Sequence, residues 1–168
     1  VDILHDGFDC VIRTGALPED GVIARPLGKL TMVNCASPHY LTRFGYPQSP
    51  DDLTSHAIVR YTPHLGVHPL GFEVASVNGV QWFKSGGMLT VNSSENYLAA
   101  GLAGLGIIQI PRIAVREALR AGRLIEVLPG YRAEPLSLSL VYPQRRELSR
   151  RVNLFMQWLA GVMKEHLD

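Results

Sequence analysis

The chain has 168 residues, 46% of them hydrophobic and 18% charged, with 16 Lys+Arg against 15 Asp+Glu for a net charge of +1. That is apolar material for one compact core or two small lobes, and the near-neutral balance excludes direct gripping of a polyanion, which needs a basic stripe. No run approaches the ~18 consecutive apolar residues of a membrane span, and no signal peptide opens the sequence, so the expected compartment is the cytoplasm.

In chain order, Val1–Gly7 reads as the tail of an element, as though the N-terminus lay partway through a fold. Phe8–Arg13 is a short apolar run of the kind buried on both faces of a sheet, and Thr14–Gly21 is a loop. Val22–Ala36 predicts two strands, or one bent strand, broken around Pro26 and Gly28. Ser37 is a good N-cap and Pro38 suits the first helical position, with Gly45 closing that helix. Ser49-Pro50-Asp51-Asp52-Leu53 repeats the device for a single turn. Ala57–Tyr61 is a strand, and Thr62–Leu70 a loop rich in His, Pro and Gly.

Phe72–Val77 and Val80–Lys84 flank Asn78-Gly79, a strong hairpin signal. Met88–Val91 is a strand leading to a helix from Asn92-Ser93-Ser94-Glu95 to about Ala103; Asn92 and Glu95 fit a capping box. Leu105–Ile110 is a strand, Arg112–Ala121 a helix, and Leu124–Leu128 a further strand. Leu136–Tyr142 alternates with period two. Leu148, Val152, Phe155, Leu159 and Val162 mark one face of a closing amphipathic helix. The mixed βα order with one hairpin gives an α/β class.

Chemistry follows from strand ends, because open α/β sheets bind ligands beyond the carboxyl ends of their strands. Three ends stand out: Arg13-Thr14-Gly15, Cys35-Ala36-Ser37 and Val91-Asn92-Ser93-Ser94. Two of them open helices, whose free N–H groups favour an anionic or carbonyl-bearing ligand. The bland alternative is that Ser37 and Asn92 are caps and nothing more. Gly101, Gly104 and Gly106 sit in the wrong order for a dinucleotide fingerprint, with a helix before and a strand after; Gly104 ends the helix, and Gly106 lets strand and helix pack closely.

No nucleophile elbow, zinc-protease helix or phosphate loop occurs, so no catalytic set is expected, and no cofactor. His64 and His68 are four apart but flanked by Pro63, Gly66 and Pro69, against a shared helical face and a metal. Cys10 and Cys35 read as buried thiols. Arg145-Arg146 and Arg150-Arg151, interrupted by Glu147, read as a solvated helix face. The sequon Asn92-Ser93-Ser94 reads as chance.

The segments GFDCVIRTG, NCASPHYLTRFGYPQSPDDLTSHAIVRY, GLAGLGIIQIPRIAVREALRAGRLIEVLPG and LSLVYPQRRELSRRVNLFMQWLAGVM, taken in this order, resemble the effector-binding domain of LysR-type transcription regulators. The resemblance implies a type II periplasmic-binding-protein-like α/β fold of two subdomains joined by crossover strands near Thr31–Ala36 and Leu138–Tyr142. Residues 1–34 and 139–168 would form an incomplete first subdomain and 35–138 the second. A small effector, with a lean toward a carboxylate-bearing one, would bind in the cleft between them. Thr14, Ser37, Ser93 and Ser94 fall where such proteins line that cleft, and Arg13, Gly15, Cys35 and Gly106 beside them complete the expected effector-binding set. The resemblance further implies a homodimer or tetramer that touches DNA only through an N-terminal winged helix-turn-helix not present in this sequence, and no membrane partner. A transport solute-binding protein is the alternative on the same fold. A chain physically starting at Val1 is expected to be poorly stable, or completed by a partner.

Overall fold

The computed structural model describes residues 7–15, 21–62, 71–144, 148–165 and 167. The expected tail at 1–6, the loop interior at 16–20, the loop at 63–70 with His64 and His68, and the Arg145-Arg146 pair lie outside the described residues. The chain divides into two compact units, Val1–Thr31 with Pro135–Asp168, and Met32–Glu134. These divisions fall between strands, whereas the expected boundaries at 34/35 and 138/139 would cut two strands in half.

In the first unit β1 (Val11–Thr14), β2 (Val22–Leu30) and the late strand β10 (Leu136–Pro143) form an antiparallel sheet in the order β1-β10-β2. Opposite Leu138 and Ser139 stand Gly28 and Pro26, so Leu27 is skipped in the ladder. The break expected near Pro26 is therefore a bulge, which suits a residue with no N–H to give, and the true break is at Thr31. Among the described residues β1 lies at the edge of this sheet, with Ile12 47% exposed, whereas the sequence predicted a strand covered on both faces. β10 runs between two neighbours, and Leu138–Val141 are all buried, so its alternation does not sort core from solvent.

The helix α4 (Arg150–Met163), capped by Ser149, departs from its expected face. Met156 is buried and Val152, Leu159 and Met163 are partly so, while Phe155 and Val162 are exposed beside Leu154 and Trp158. The helix carries two apolar stripes, and spacing alone does not say which one packs.

The second unit holds β3 (Met32–Ala36), α1 (Pro38–Phe44), a 3-10 turn (Pro50–Ser55), β4 (Ala57–Tyr61), β5 (Phe72–Ser76), β6 (Gly79–Phe83), β7 (Gly86–Val91), α2 (Ser94–Leu102), β8 (Ile108–Pro111), α3 (Arg112–Arg120) and β9 (Ile125–Glu126). β7 pairs parallel with β4. The Ile107 N–H donates to Ala57 O (2.9 Å) and the Val59 N–H to Ile107 O (3.0 Å), making a parallel bridge from β4 to the start of β8. β3 then pairs antiparallel with β8 and with β9. The resulting order is β7-β4-β8-β3-β9, with β3 alone running backwards.

Local signals explain most of these elements. Ser37 Oγ accepts the Tyr40 N–H, Pro38 opens α1, and Gly45 closes it at φ 80°. Asp52 accepts the N–H groups of Gln48 (2.8 Å) and Ser49 (3.0 Å), which anchors the 3-10 turn and holds its carboxyl below the usual range. In the hairpin, Ser76 stands opposite Gly79, so the tip is Val77-Asn78, one residue earlier than expected. Gly79, at φ 104°, supplies the positive φ that closes the ladder.

Both large apolar clusters lie in this unit, one on each side of the sheet. Val33, Cys35, Val59, Tyr97, Ile108 and Val115 pack under α2 and α3. Tyr40, Leu41, Leu53, Ile58, Phe72 and Ile107 pack under α1 and the hairpin. Within the latter, Tyr40 Oη is 3.0 Å from His56 Nδ1 and accepts the Ala57 N–H at 2.9 Å.

Burial is the main influence on the His56 imidazole and lowers its pKa, with Asp52 partly opposing it. The neutral ring is thus favoured by folding. The stability this contributes is complete above the unfolded value of about pH 6.5 and is lost as pH falls through the folded value. Melting temperature is expected to fall between pH 7 and pH 5, and His56→Asn, which keeps an acceptor near Nδ1, should fall less over the same window. Parallel slopes for the two proteins would refute this.

Candidate functional site

Parallel strands β4 and β7 end side by side, with Tyr61 opposite Val91. The chain just beyond them is held together by the Thr62 N–H donating to Val91 O at 2.9 Å. Ser93 caps α2, accepting the Asn96 N–H, and one residue further on Ser94 starts the helix. The capping residue is Ser93 rather than Asn92: Asn92 is a bend after β7, and Ser93 has the extended backbone of a cap (φ −120°, ψ 136°). Ser93 and Ser94 thus place two hydroxyls at the carboxyl edge of the sheet, beside the buried Thr62. Thr62 was not singled out by the sequence; the strand end at Tyr61 was its only signal.

Glu95 folds back over this edge. Ser93 Oγ donates to Glu95 Oε2 at 2.6 Å and Ser94 Oγ reaches the same oxygen at 3.3 Å. These hydroxyls, the Ser93 bond first, hold the Glu95 carboxyl below its ordinary range. A fixed carboxylate therefore already occupies the positive end of α2. The edge disfavours a second anion and suits a group that brings hydrogen-bond donors.

Ser37 and Gly106 lie at the other end of the sheet. β3 is antiparallel to β8, with Cys35 opposite Ile108, so the carboxyl end of β3 meets the amino end of β8. A Cβ placed on Gly104 would stand 3.0 Å from Ser37 Oγ. Ser37 and Ser93 therefore lie at opposite ends of this sheet, and the expected convergence of their strand ends is not seen, because β3 runs against β4, β7 and β8. Ser37 is buried and serves as the α1 cap. Gly106 answers a close approach to β4, not to a helix: a Cβ there would be 2.6 Å from Ala57 O.

Cys35 is fully buried in the cluster beneath α2, and burial, with Glu126 adding to it, pushes its thiol up to about 12. Cys10 is partly buried and also raised, first by burial and then by Asp9. Alkylation at pH 8 is accordingly expected to be slow at both thiols and to reach Cys35 only on unfolding. Mass spectrometry of the native chain showing Cys35 modified first would contradict this.

In the first unit Arg13 and Thr14 close β1 opposite Ser139 and Leu138, and Gly15, at φ 78°, donates its N–H to Ser137 O at 3.1 Å. Thr14 and Gly15 are exposed and Arg13 is partly exposed. This end offers one cation, one hydroxyl and open backbone. Among the described residues no cluster of three metal-ligating side chains occurs, and no helix is long and apolar enough to cross a membrane.

Residues 1–164 match the family described as LysR substrate binding domain. The chain is 99% identical over 168 residues to the uncharacterized HTH-type transcriptional regulator YhjC of Escherichia coli (strain K12), covering 100% of this chain and 56% of that one. It is 31% identical over 166 residues to the HTH-type transcriptional activator AaeR of the same organism, covering 98% and 52%. The chain spans about half the length of the curated relatives it matches. Among solved structures, the regulatory domain of CrgA, a LysR-type transcriptional regulator from Neisseria meningitidis, superposes with a TM-score of 0.82 at 24% identity. The match covers 96% of this chain and 78% of that domain, and it shows the shared fold, the type II periplasmic-binding-protein-like α/β architecture.

Proposed function

The chain belongs to the LysR substrate-binding domain family, and from that premise we propose that it is the part of a DNA-binding transcription regulator that senses a small polar effector. The observation that carries this reading is the pair of hydroxyls, Ser93 and Ser94, beyond the joined ends of β4 and β7. Such groups orient a ligand through hydrogen bonds without making or breaking bonds in it. In the first unit Arg13, Thr14 and Gly15 form a separate proposed contact set, whose Arg13 guanidinium suits a carboxylate.

The relatives are transcriptional regulators, which disfavours a transport solute-binding role. DNA contact belongs to the portion of the parent protein outside this span, the site of action is the cytoplasm, and assembly is as a homodimer or tetramer. The effector acts by preferring one conformation of the regulator and shifting the population toward it.

The test is a screen of small carboxylates, amino acids and aromatic acids against the full-length regulator, read by both thermal shift and operator binding. With a hit in hand, Arg13→Ala is expected to weaken the effector by about 10- to 100-fold, the range for losing a hydrogen bond to a charged group. Ser37→Ala should leave effector affinity unchanged while costing about 1 kcal/mol of stability as a lost cap. Equal losses of affinity from both variants, or no compound that moves both readouts, would overturn the assignment.

A further inference from the structure

The second unit contains a buried polar relay apart from the hydroxyls beyond β4 and β7. Asn34 is fully buried and stands opposite Gln109 on the β3–β8 ladder. Its Nδ2 donates to Tyr131 O (2.8 Å) and Leu128 O (3.2 Å), and its Oδ1 accepts from Gln109 Nε2 (2.9 Å). Gln109 extends the relay to the hairpin. Its Nε2 also donates to Glu73 O (2.8 Å), and its Oε1 accepts the Glu73 N–H (2.9 Å). The side-chain amide thus pairs with Glu73 as a neighbouring strand would, taking its N–H and giving to its C=O. Gln109 is also held from behind, its own N–H donating to Tyr97 Oη at 2.8 Å.

The hairpin has two further ties, both to the segment by which the chain leaves the unit. The Ala75 N–H donates to Arg132 O at 2.8 Å, and the Glu134 N–H to Glu73 Oε1 at 3.0 Å. Glu134 is the last residue of the unit, and Asn34 follows closely on its first, Met32. Leu128, at the head of the outgoing segment, is the one described non-glycine residue with positive φ, at 49°. Such a conformation persists where its surroundings over-determine it, and the Asn34 amide grips the Leu128 carbonyl itself. One glutamine amide therefore joins the hairpin to the strand that brings the chain in and, through Asn34, to the segment that takes it out.

We propose that Gln109 is a positioning residue that makes the β5–β6 hairpin and the incoming and outgoing segments of this unit one cooperative body. A disturbance of the hairpin is delivered to both places where the chain passes between units, and a disturbance there is felt at the hairpin. The inference does not depend on which effector binds, or on whether one does.

Amide hydrogen exchange on the chain, with Gln109→Met preserving length and apolar packing, tests it. Exchange at Glu73 and Ala75 in the hairpin and at Tyr131 and Glu134 in the outgoing segment is expected to accelerate together, by roughly tenfold or more, as a local cooperative unit opens. The α3 amides should change by less than about threefold. Adding Asn34→Ala to Gln109→Met should increase the rates at these four amides by less than the product of the two single effects, as for residues in one network. Acceleration at Glu73 alone, equal acceleration at α3, or simple multiplication in the double variant would overturn the proposal. Should Gln109→Met fail to fold, Glu73→Ala removes only the tie to Glu134 from a partly exposed side chain. Ala75 should then accelerate along with Glu134, and an unchanged Ala75 would overturn the coupling.

Discussion

Replacing Gly106 with valine is expected to cost about 3 kcal/mol, the upper part of the usual range for overpacking. A Cβ at this position would sit 2.6 Å from Ala57 O and 3.1 Å from Val59 N, both backbone atoms. Flexible side chains can swing aside, but these cannot. The same backbone makes the two hydrogen bonds with Ile107 that join β4 and β7 to the rest of the sheet. Relief of the clash therefore requires pulling β4 away and losing the join. Gly130 is the control, because nothing lies within 4 Å of a Cβ added there. Gly130→Ala should stay within about 0.5 kcal/mol of the parent, as ordinary surface substitutions do. Urea unfolding of the three proteins decides the matter, and a Gly106→Val midpoint close to that of Gly130→Ala would refute the account.

Truncating Phe72 to alanine is expected to be of similar or larger size, about 3–5 kcal/mol for a fully buried phenylalanine. Phe72 has no exposed surface and packs with Tyr40, Leu41, Leu53, Ile58 and Ile107. It is the main apolar anchor of a hairpin whose opposite strand, β6, is largely exposed. The loss should therefore combine a global drop with early exchange of hairpin amides. Phe72→Leu, which leaves a smaller cavity, should cost clearly less. Equal midpoints for the alanine and leucine variants would show that the cavity is not the dominant effect.

Elements governed by local chemistry were legible in the sequence. The Ser37-Pro38 start of α1, its Gly45 stop and the Pro50 turn rest on caps and dihedral limits that act within four residues. The hairpin was legible too, though its tip was placed one residue late. What the sequence did not carry was strand direction. Nothing local to Met32–Ala36 says that it runs against β8, and that single fact separates Ser37 and Gly106 from Ser93 and Ser94. Of the residues expected on this unit, Cys35, Ser37 and Gly106 thus lie at one end of the sheet and Ser93 and Ser94 at the other. The packed stripe of α4 was hidden for a different reason, because Leu154, Phe155 and Trp158 make a second apolar face as convincing as the one that is buried. Gln109 gave no signal at all, since an amide in an apolar strand shows its purpose only when its partners arrive from residues 34 and 73.

The reversed strand has a consequence for how this architecture can be handled as a part. Because β3 runs against its neighbours, Met32 at its start and Glu134 after β9 fall at the same end of the sheet, and both large apolar clusters lie between those two residues. Met32–Glu134 is consequently a cassette, cut out cleanly by two nearby breaks and carrying its own core. Expressed alone it should melt cooperatively, and joined end to end by a short glycine linker it should tolerate new termini at exposed loops, as compact inserts with neighbouring ends do.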